Sequence, residues 1–403
     1  MPSTLTWIDH DPEARDRALR ILSLFQQKES RDELGLGAIR DSFGDALFPG
    51  TSTIQTRLRY MLFVPWVYIE LENKRVPPSA FAVKARQMEI ALIGPLLKNY
   101  DHSGVYGIRA GKYLKRLPSS VYWNGLGVWG IRLISCSQDE YHRHIDVIYR
   151  RRDASHGRYE KDDFPEAEIQ VWHPRMPDPP SNFPDHLNFE LSFEEASFLL
   201  DRLLKSQKES LLAYLALNCK PVDCEFPWQH PDKKNFSPLH KELLNYGEFF
   251  STIMHGAPFL YNLMLAEEVS LEELKEEHRN ELEEWRTRLL DCCYINLPLE
   301  GLWELVAGRG HTITKRSKDF ISAWHGRILA TNGNVVDDSE SRTLVRMREQ
   351  QLKGTHSRFT NQRAKDQWTG YAGVGQMGYR WGNVMTLLSD LHTGLNRRTH
   401  AES

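Results

Sequence analysis

Cysteine is scarce and irregularly placed in this 403-residue chain, occurring at Cys136, Cys219, Cys224, Cys292 and Cys293. An odd number without regular spacing excludes a disulfide framework. Cys219 and Cys224 have no second Cys/His pair at zinc-finger spacing, so buried reduced thiols are expected. Long apolar runs are missing too. The longest, from Tyr60 to Ile69, contains Pro65 and is too short to span a bilayer. The N-terminal stretch through Arg17 is acidic and lacks the apolar core of a secretory signal. A cytoplasmic protein without membrane contact is expected. An excess of one charge is also absent, with 51 Lys and Arg against 54 Asp and Glu. That balance excludes a protein that coats nucleic acid over its whole surface, and any such contact must be confined to patches. No internal repeat of solenoid length is visible.

Catalytic signatures are equally sparse. Gly373-Val-Gly-Gln-Met-Gly378 matches a dinucleotide fingerprint literally, but no hydrophobic strand precedes it and too little chain follows for a βαβ unit. His142, His144 and Asp146 resemble part of a metallohydrolase signature, with Val147 where the next histidine belongs. On a helix His142 and Asp146 share a face, which fits a surface pair better than a metal site. His311, Lys315 and Asp319 miss the spacing of a phospholipase-D-like nuclease. Asp162, Asp163, Glu166 and Glu168 are candidate nuclease carboxylates, but Gln170 stands where a lysine is needed. No cofactor, metal or catalytic residue is assigned.

What the chain does have is helical patterning at globular composition, 40% apolar and 26% charged. Five prolines between 174 and 184 interrupt regular structure. They divide the chain into an N-terminal helical domain (1–173), a Pro-rich linker (174–190) and a C-terminal helical domain (191–403). A helix is expected from Thr51/Ser52 to about 71, with Ile54, Leu58, Met61 and Leu62 on one face. Another is expected over 79–97, and one starting at Pro118-Ser-Ser. Ser137-x-x-Glu140, Ser192-x-x-Glu195 and Ser270-x-x-Glu273 are capping-box patterns. The last opens a glutamate-rich helix with Leu271, Leu274, His278, Leu282, Trp285 and Leu289 as one stripe. Further helices are expected over 340–352, with Ser339 as N-cap, and over 378–395. Weak strand signals at 129–134 and 168–172 add a minor β component to the N-terminal half, with room for a winged-helix-like piece. The fold class is therefore mainly α.

Two clusters of positive charge stand out. Between 342 and 365, Arg342, Arg346, Arg348, Lys353, Arg358, Arg363 and Lys365 face one acid, Glu349. On a helix, Arg342, Arg346 and Lys353 form one ridge, while Arg348 points to the apolar side and reads as structural. Arg358 and Arg363 could grip phosphates, with His356, Phe359 and Trp368 available for stacking. Three readings stay open: contacts to a nucleic-acid backbone, pairing with the protein's own glutamate-rich 267–284 region or a partner, or a solvated face. The second cluster is Arg109, Lys112, Lys115 and Arg116, followed later by Arg150-Arg151-Arg152. The helix between them could be a DNA reader, or the glycines and tryptophans around it could simply build a core.

The block Phe48-Pro-Gly-Thr-Ser52, set in the run from Asp32 to Trp66, resembles an uncharacterised bacterial domain-of-unknown-function family. Leu117-Pro-Ser-Ser-Val-Tyr-Trp123, Leu191-Ser-Phe-Glu-Glu-Ala196, Asn361-Gln-Arg-Ala364 and Trp368-Thr-Gly370 carry the same likeness. The resemblance implies a setting among antiphage-defence genes, beside helicase-like and phospholipase-D-like proteins, and no reaction. The expectation is thus a non-enzymatic accessory component of a bacterial defence system that binds nucleic-acid backbone, DNA by preference. The contacts would be Arg342, Arg346, Lys353, Arg358, Arg363 and Lys365, with Arg109, Lys112, Lys115 and Arg116 as a second set. The alternatives are a scaffold docking a nucleic-acid-processing enzyme through the acidic helix, or a metal-dependent nuclease.

Overall fold

The computed structural model describes residues 32–99, 101–157, 170–308 and 310–401. The protein is mainly helical. Its helices are α1 (Gly37–Leu47), α2 (Tyr60–Asn73), α3 (Pro78–Ala91), α4 (Ile93–Leu96), α5 (Pro118–Val128), α6 (Gln138–Arg143), α7 (Ile145–Gly157), α8 (Phe193–Ser206) and α9 (Leu211–Asn218). They continue as α10 (Pro238–Glu268), α11 (Glu272–Asp291), α12 (Leu299–Val306), α13 (Lys315–Thr331), α14 (Ser339–Lys353), α15 (Gln362–Asp366) and α16 (Trp381–Ala401).

The expected β component does not form. Among the described residues there is no strand, only one antiparallel bridge between Arg132 and Trp172. The two segments with strand character do meet, since Leu133 donates to the Val171 carbonyl and His173 to the Ile131 carbonyl. The pairing stops after one step because Pro174 follows and the 129–134 segment has already turned back on α5. A winged-helix piece needs a hairpin, so it is excluded among these residues as well.

The chain forms two compact units, both discontinuous in sequence. Among the described residues, one comprises 32–43 with 244–377, the other 44–243 with 378–401. The Pro-rich stretch at which the sequence reading divides the chain lies within the second unit, where the Trp66 indole N–H donates to the Pro177 carbonyl at 2.8 Å.

The first unit is built on α10, an apolar helix that is hydrophobic nearly all round and therefore buried. Trp285 of α11 and Trp324 of α13 stack 6.3 Å apart. Their indole N–H groups donate to the Thr252 and Ile253 carbonyls of α10 at 2.8 and 2.7 Å. Gly256 permits that approach, since a Cβ there would sit 2.5 Å from the Trp285 ring. Of the expected stripe, His278, Leu282, Trp285 and Leu289 of α11 are buried as their spacing predicts, Leu274 is half-buried, and Leu271, ahead of the helix, is 47% exposed. The capping box expected at Ser270 is absent. Ser270 adopts a left-handed φ of 56°, and the helix starts two residues later behind Leu271, which offers no side-chain cap.

In the second unit, α2 packs on α3 and α5, and α16 packs on α8 and α9. The capping boxes at Ser137 and Ser192 form as expected, and α5 begins at Pro118. The helix anticipated from Thr51 starts only at Tyr60. Residues 49–59 are claimed by other partners. Gln55 donates to the Gly50 carbonyl, Tyr122 Oη accepts from the Thr56 and Arg57 amides, and the Asp390 carboxylate accepts from the Leu58 amide. Ile54 consequently lies exposed at 38% rather than on a buried face.

Candidate nucleic-acid interface

The C-terminal cations come first. Asp338, one residue before the expected cap, accepts from the Ser341 amide at 2.9 Å and starts α14. From this helix Arg342 pairs with Glu267 and Arg346 with Glu268 at 2.8 Å, and from α15 Lys365 pairs with Glu268 at 2.6 Å. Lys353 and Arg358 both pair with Glu33, Arg358 at 2.9 Å. Arg346 also lies 4.2 Å from the centre of the Phe359 ring. Five of the six cations expected to grip a backbone are therefore held by the protein's own carboxylates, and only Arg363 has no ion pair among the described residues.

Lys353 departs most from the expected outward ridge. Its side chain is only 6% exposed, and burial, reinforced by Arg358, pushes its amine down to about 8. Around it sits a polar cluster. Glu349, fully buried, accepts from Ser357 Oγ and from the Arg358 amide, and Arg358 donates to Tyr261 Oη at 3.0 Å. Glu33 meets two cations here and Glu349 is met by hydrogen-bond donors, which offsets the desolvation cost of these buried charges. Arg348 is structural as expected. It is 3% exposed, donating to the Leu34 carbonyl and to Ser317 Oγ, both at 2.9 Å.

The glycine-rich stretch that follows is a pinned loop. The Asn262 side chain accepts from the Trp368 indole and the Ala372 amide and donates to the Ala372 carbonyl. His278 donates to the Gly370 carbonyl and His255 to the Val374 carbonyl. Three of its carbonyls, those of Gly370, Ala372 and Val374, and the Trp368 indole are spent on α10 and α11.

The second cluster has a different surrounding. Residues 106–117 carry Arg109, Lys112, Lys115 and Arg116 and no acid. All four are exposed, and none is in an ion pair among the described residues. The backbone beneath them is fixed. Thr56 Oγ1 donates to the Gly104 carbonyl at 2.7 Å, and Tyr106 packs edge-on against Tyr60 while donating to the Ile54 carbonyl. Gly107, at φ 83°, turns the chain so that the Gly111 amide reaches its carbonyl at 2.7 Å. The Arg86 guanidinium of α3 donates to the Lys112 carbonyl. At the far end, the buried Glu89 carboxylate takes both the amide and the hydroxyl of Ser119 at the start of α5. Burial raises that carboxyl to about 7 against the pull of the two Ser119 bonds.

The arginine triplet does not extend this patch evenly. Arg150 pairs with Asp146 and Arg152 with the buried Glu72, while Arg151 stays exposed.

The other chemical candidates are occupied or undescribed. His142 is buried and shares a 2.8 Å hydrogen bond with Tyr68 Oη. The expected single helix breaks at His144, and Asp146 answers Arg150 instead of His142. Lys315 pairs with Asp319 one turn on. Asp162, Asp163, Glu166 and Glu168 lie outside the described residues. A cleft of about 390 Å³ opens beside Arg59, Lys98, Asn182 and His186, with the Arg59 head tied to Glu195 and Asn188. No helix among the described residues is long and apolar enough to cross a membrane.

The chain belongs to a family of unknown function (DUF6361). The family model matches residues 2–394, nearly the whole sequence. No curated protein and no solved structure matches the chain. The likeness to a domain-of-unknown-function family therefore holds, and the assignment brings no reaction with it.

Two residues at the basic loop, Arg86 of α3 and Tyr113, carry no sequence signal that marks them as site candidates. Arg86 supports Lys112 from a different helix, which no local pattern announces. Tyr113 stood in plain view among the aromatics of 106–130, but its 74% exposure is a property of the fold.

Proposed function

We propose that this protein contacts a nucleic-acid backbone through the loop 106–117, in the non-catalytic accessory role that its resemblance to defence-associated proteins implies. The observation that carries the reading is a contrast in neutralisation. Arg109, Lys112, Lys115 and Arg116 are exposed and without carboxylate partners among the described residues, on a backbone fixed at both ends. A fixed array of unpaired cations in a chain of net charge −3 concentrates positive potential locally. Each phosphate it neutralises releases a counterion and adds about 0.7–0.9 to the log–log salt slope. The six C-terminal residues are assigned no direct role in this reading, Arg363 excepted, because pairing with a phosphate would first require breaking an internal ion pair.

The test is fluorescence anisotropy of labelled DNA across a salt series, for the full chain and for an Arg109/Lys112/Lys115/Arg116 quadruple alanine. Binding that weakens with salt in the wild type and is lost in the variant, at unchanged thermal stability, is the expected result. Equal binding by both proteins, or none by either at low salt, overturns the proposal.

A second reading rests on α11. Most of its apolar stripe is buried, and its exposed face is mainly acidic, with Leu290 the exposed leucine near its end. Glu273 and Glu276 are exposed and outside any ion pair among the described residues. A protein with a basic surface would fit that face. Co-purification with such a partner, abolished by Glu273→Lys with Glu276→Lys, would support it.

A further inference from the structure

The basic loop carries more than charge. Tyr113 is 74% exposed, the most exposed of the large hydrophobic side chains in the described protein. It closes the short 3₁₀ turn Gly111–Tyr113, with the Lys112 ammonium 5.1 Å from its ring centre. Ile108, on the same loop, is 52% exposed. The other three tyrosines that pack around this segment are engaged. Tyr60 and Tyr122 are buried, and Tyr106 is bonded to Ile54. Among the described residues Tyr113 has no hydrogen bond and its ring meets only the Lys112 ammonium, so its hydroxyl is unused and most of its ring surface stays in solvent.

A large aromatic ring left in water costs free energy unless something covers it. Its neighbours in sequence, Lys112, Lys115 and Arg116, all favour an anion. An aromatic ring flanked by cations is the arrangement that holds a single-stranded nucleic acid, because an unpaired base offers a flat apolar face beside a phosphate. A duplex hides its base faces in the stack and can offer this loop only phosphates. The turn is also held before any ligand arrives, by the Gly111–Gly107 backbone bond and by Arg86 on the Lys112 carbonyl. Little ordering entropy remains to oppose binding.

We infer that Tyr113 is a stacking platform for an unpaired nucleobase, and that the loop consequently selects single-stranded over duplex nucleic acid. This rests on the backbone-contact reading above and adds strand selectivity to it.

The experiment compares a labelled oligo-dT strand with a duplex of the same length in anisotropy titrations of the full chain. Wild type, Tyr113→Ala and Tyr113→Trp are each titrated, with thermal melts run alongside. The expected result is that Tyr113→Ala weakens the single strand about tenfold or more, leaves the duplex unchanged and melts like wild type. Tyr113→Trp should retain or improve single-strand binding. Unchanged oligo-dT affinity in Tyr113→Ala, or an equal loss on both DNAs, overturns the stacking role while leaving the backbone reading standing. If wild type binds neither DNA, the backbone reading fails first. Binding to phosphatidylserine vesicles without binding to either DNA would assign the loop to an anionic lipid surface and overturn both.

Discussion

Residues 342–365 and residues 106–117 are both dense in lysine and arginine, yet the fold treats them in opposite ways. The first cluster faces Glu33, Glu267 and Glu268, contributed by distant parts of the chain, and Lys353 is buried against Glu33. The second rises from a loop without acids whose backbone is fixed by Thr56, Arg86 and Glu89, which leaves its cationic heads in solvent. Charge density along a sequence is thus a poor guide to electrostatic potential at a surface. What matters is whether carboxylates from elsewhere in the chain arrive opposite it.

The contrast has energetic consequences, and the largest should appear at Glu33. Its carboxylate holds both Lys353 and Arg358 in a setting where all three side chains are largely buried. Glu33→Ala leaves two cations without their shared counter-charge and should destabilise the protein by about 3–5 kcal/mol. Equilibrium urea denaturation measures it. A loss below about 1 kcal/mol would mean that the C-terminal cations are not dependent on this carboxylate, and the contrast would break.

Next in size is a pH effect at the anchor of the basic loop. Burial pushes the Glu89 carboxyl up to about 7, well above an ordinary carboxyl. Between about 4.5 and about 7 the folded protein therefore holds a proton that the unfolded chain has released. Stability contributed by this site is present at the acid end of that window and is lost as pH rises through it, by about 3 kcal/mol in all. Glu89→Gln keeps an acceptor and a donor for Ser119 and has no proton to lose. The difference in stability between variant and wild type should grow in the variant's favour from pH 4.5 to pH 7. A difference that stays flat contradicts this. Taking the difference also cancels opposing groups such as His255, which burial pushes down to about 4.

The smallest effect is expected at the rim of the C-terminal cluster. Arg346 is partly exposed, so its pair with Glu268 is screened. Arg346→Ala should cost about 1 kcal/mol, part of it from the lost contact with the Phe359 ring. Thermal melting resolves this, and a loss as large as that at Glu33 would show that the rim is as dependent on pairing as the interior.

Much of the helical framework was legible because its signals are local. The capping boxes at Ser137 and Ser192, Pro118 at the first turn of α5 and the apolar stripe of α11 each lie within one element. Arg348 was legible as structural for the same reason, since it fell on the apolar side of its own helix. Signals that depended on distant partners were not. The stretch 49–59 has helical patterning, but Tyr122 and Asp390 take its amides. The paired segments 131–133 and 171–173 have strand character but no third segment to extend them. Glu33 lies far from Lys353 in sequence, and no pattern around either residue reveals that they meet.

The central claim is that the two clusters differ in availability to an anionic partner, and one binding measurement decides it. The salt dependence of oligo-dT binding should be compared for Lys112→Ala/Lys115→Ala and for Arg346→Ala/Lys365→Ala. The loop variant should flatten the log–log slope by about 1.4, near 0.7 per lost contact, while the C-terminal variant keeps the wild-type slope. A slope lost in the C-terminal variant and retained in the loop variant would contradict it.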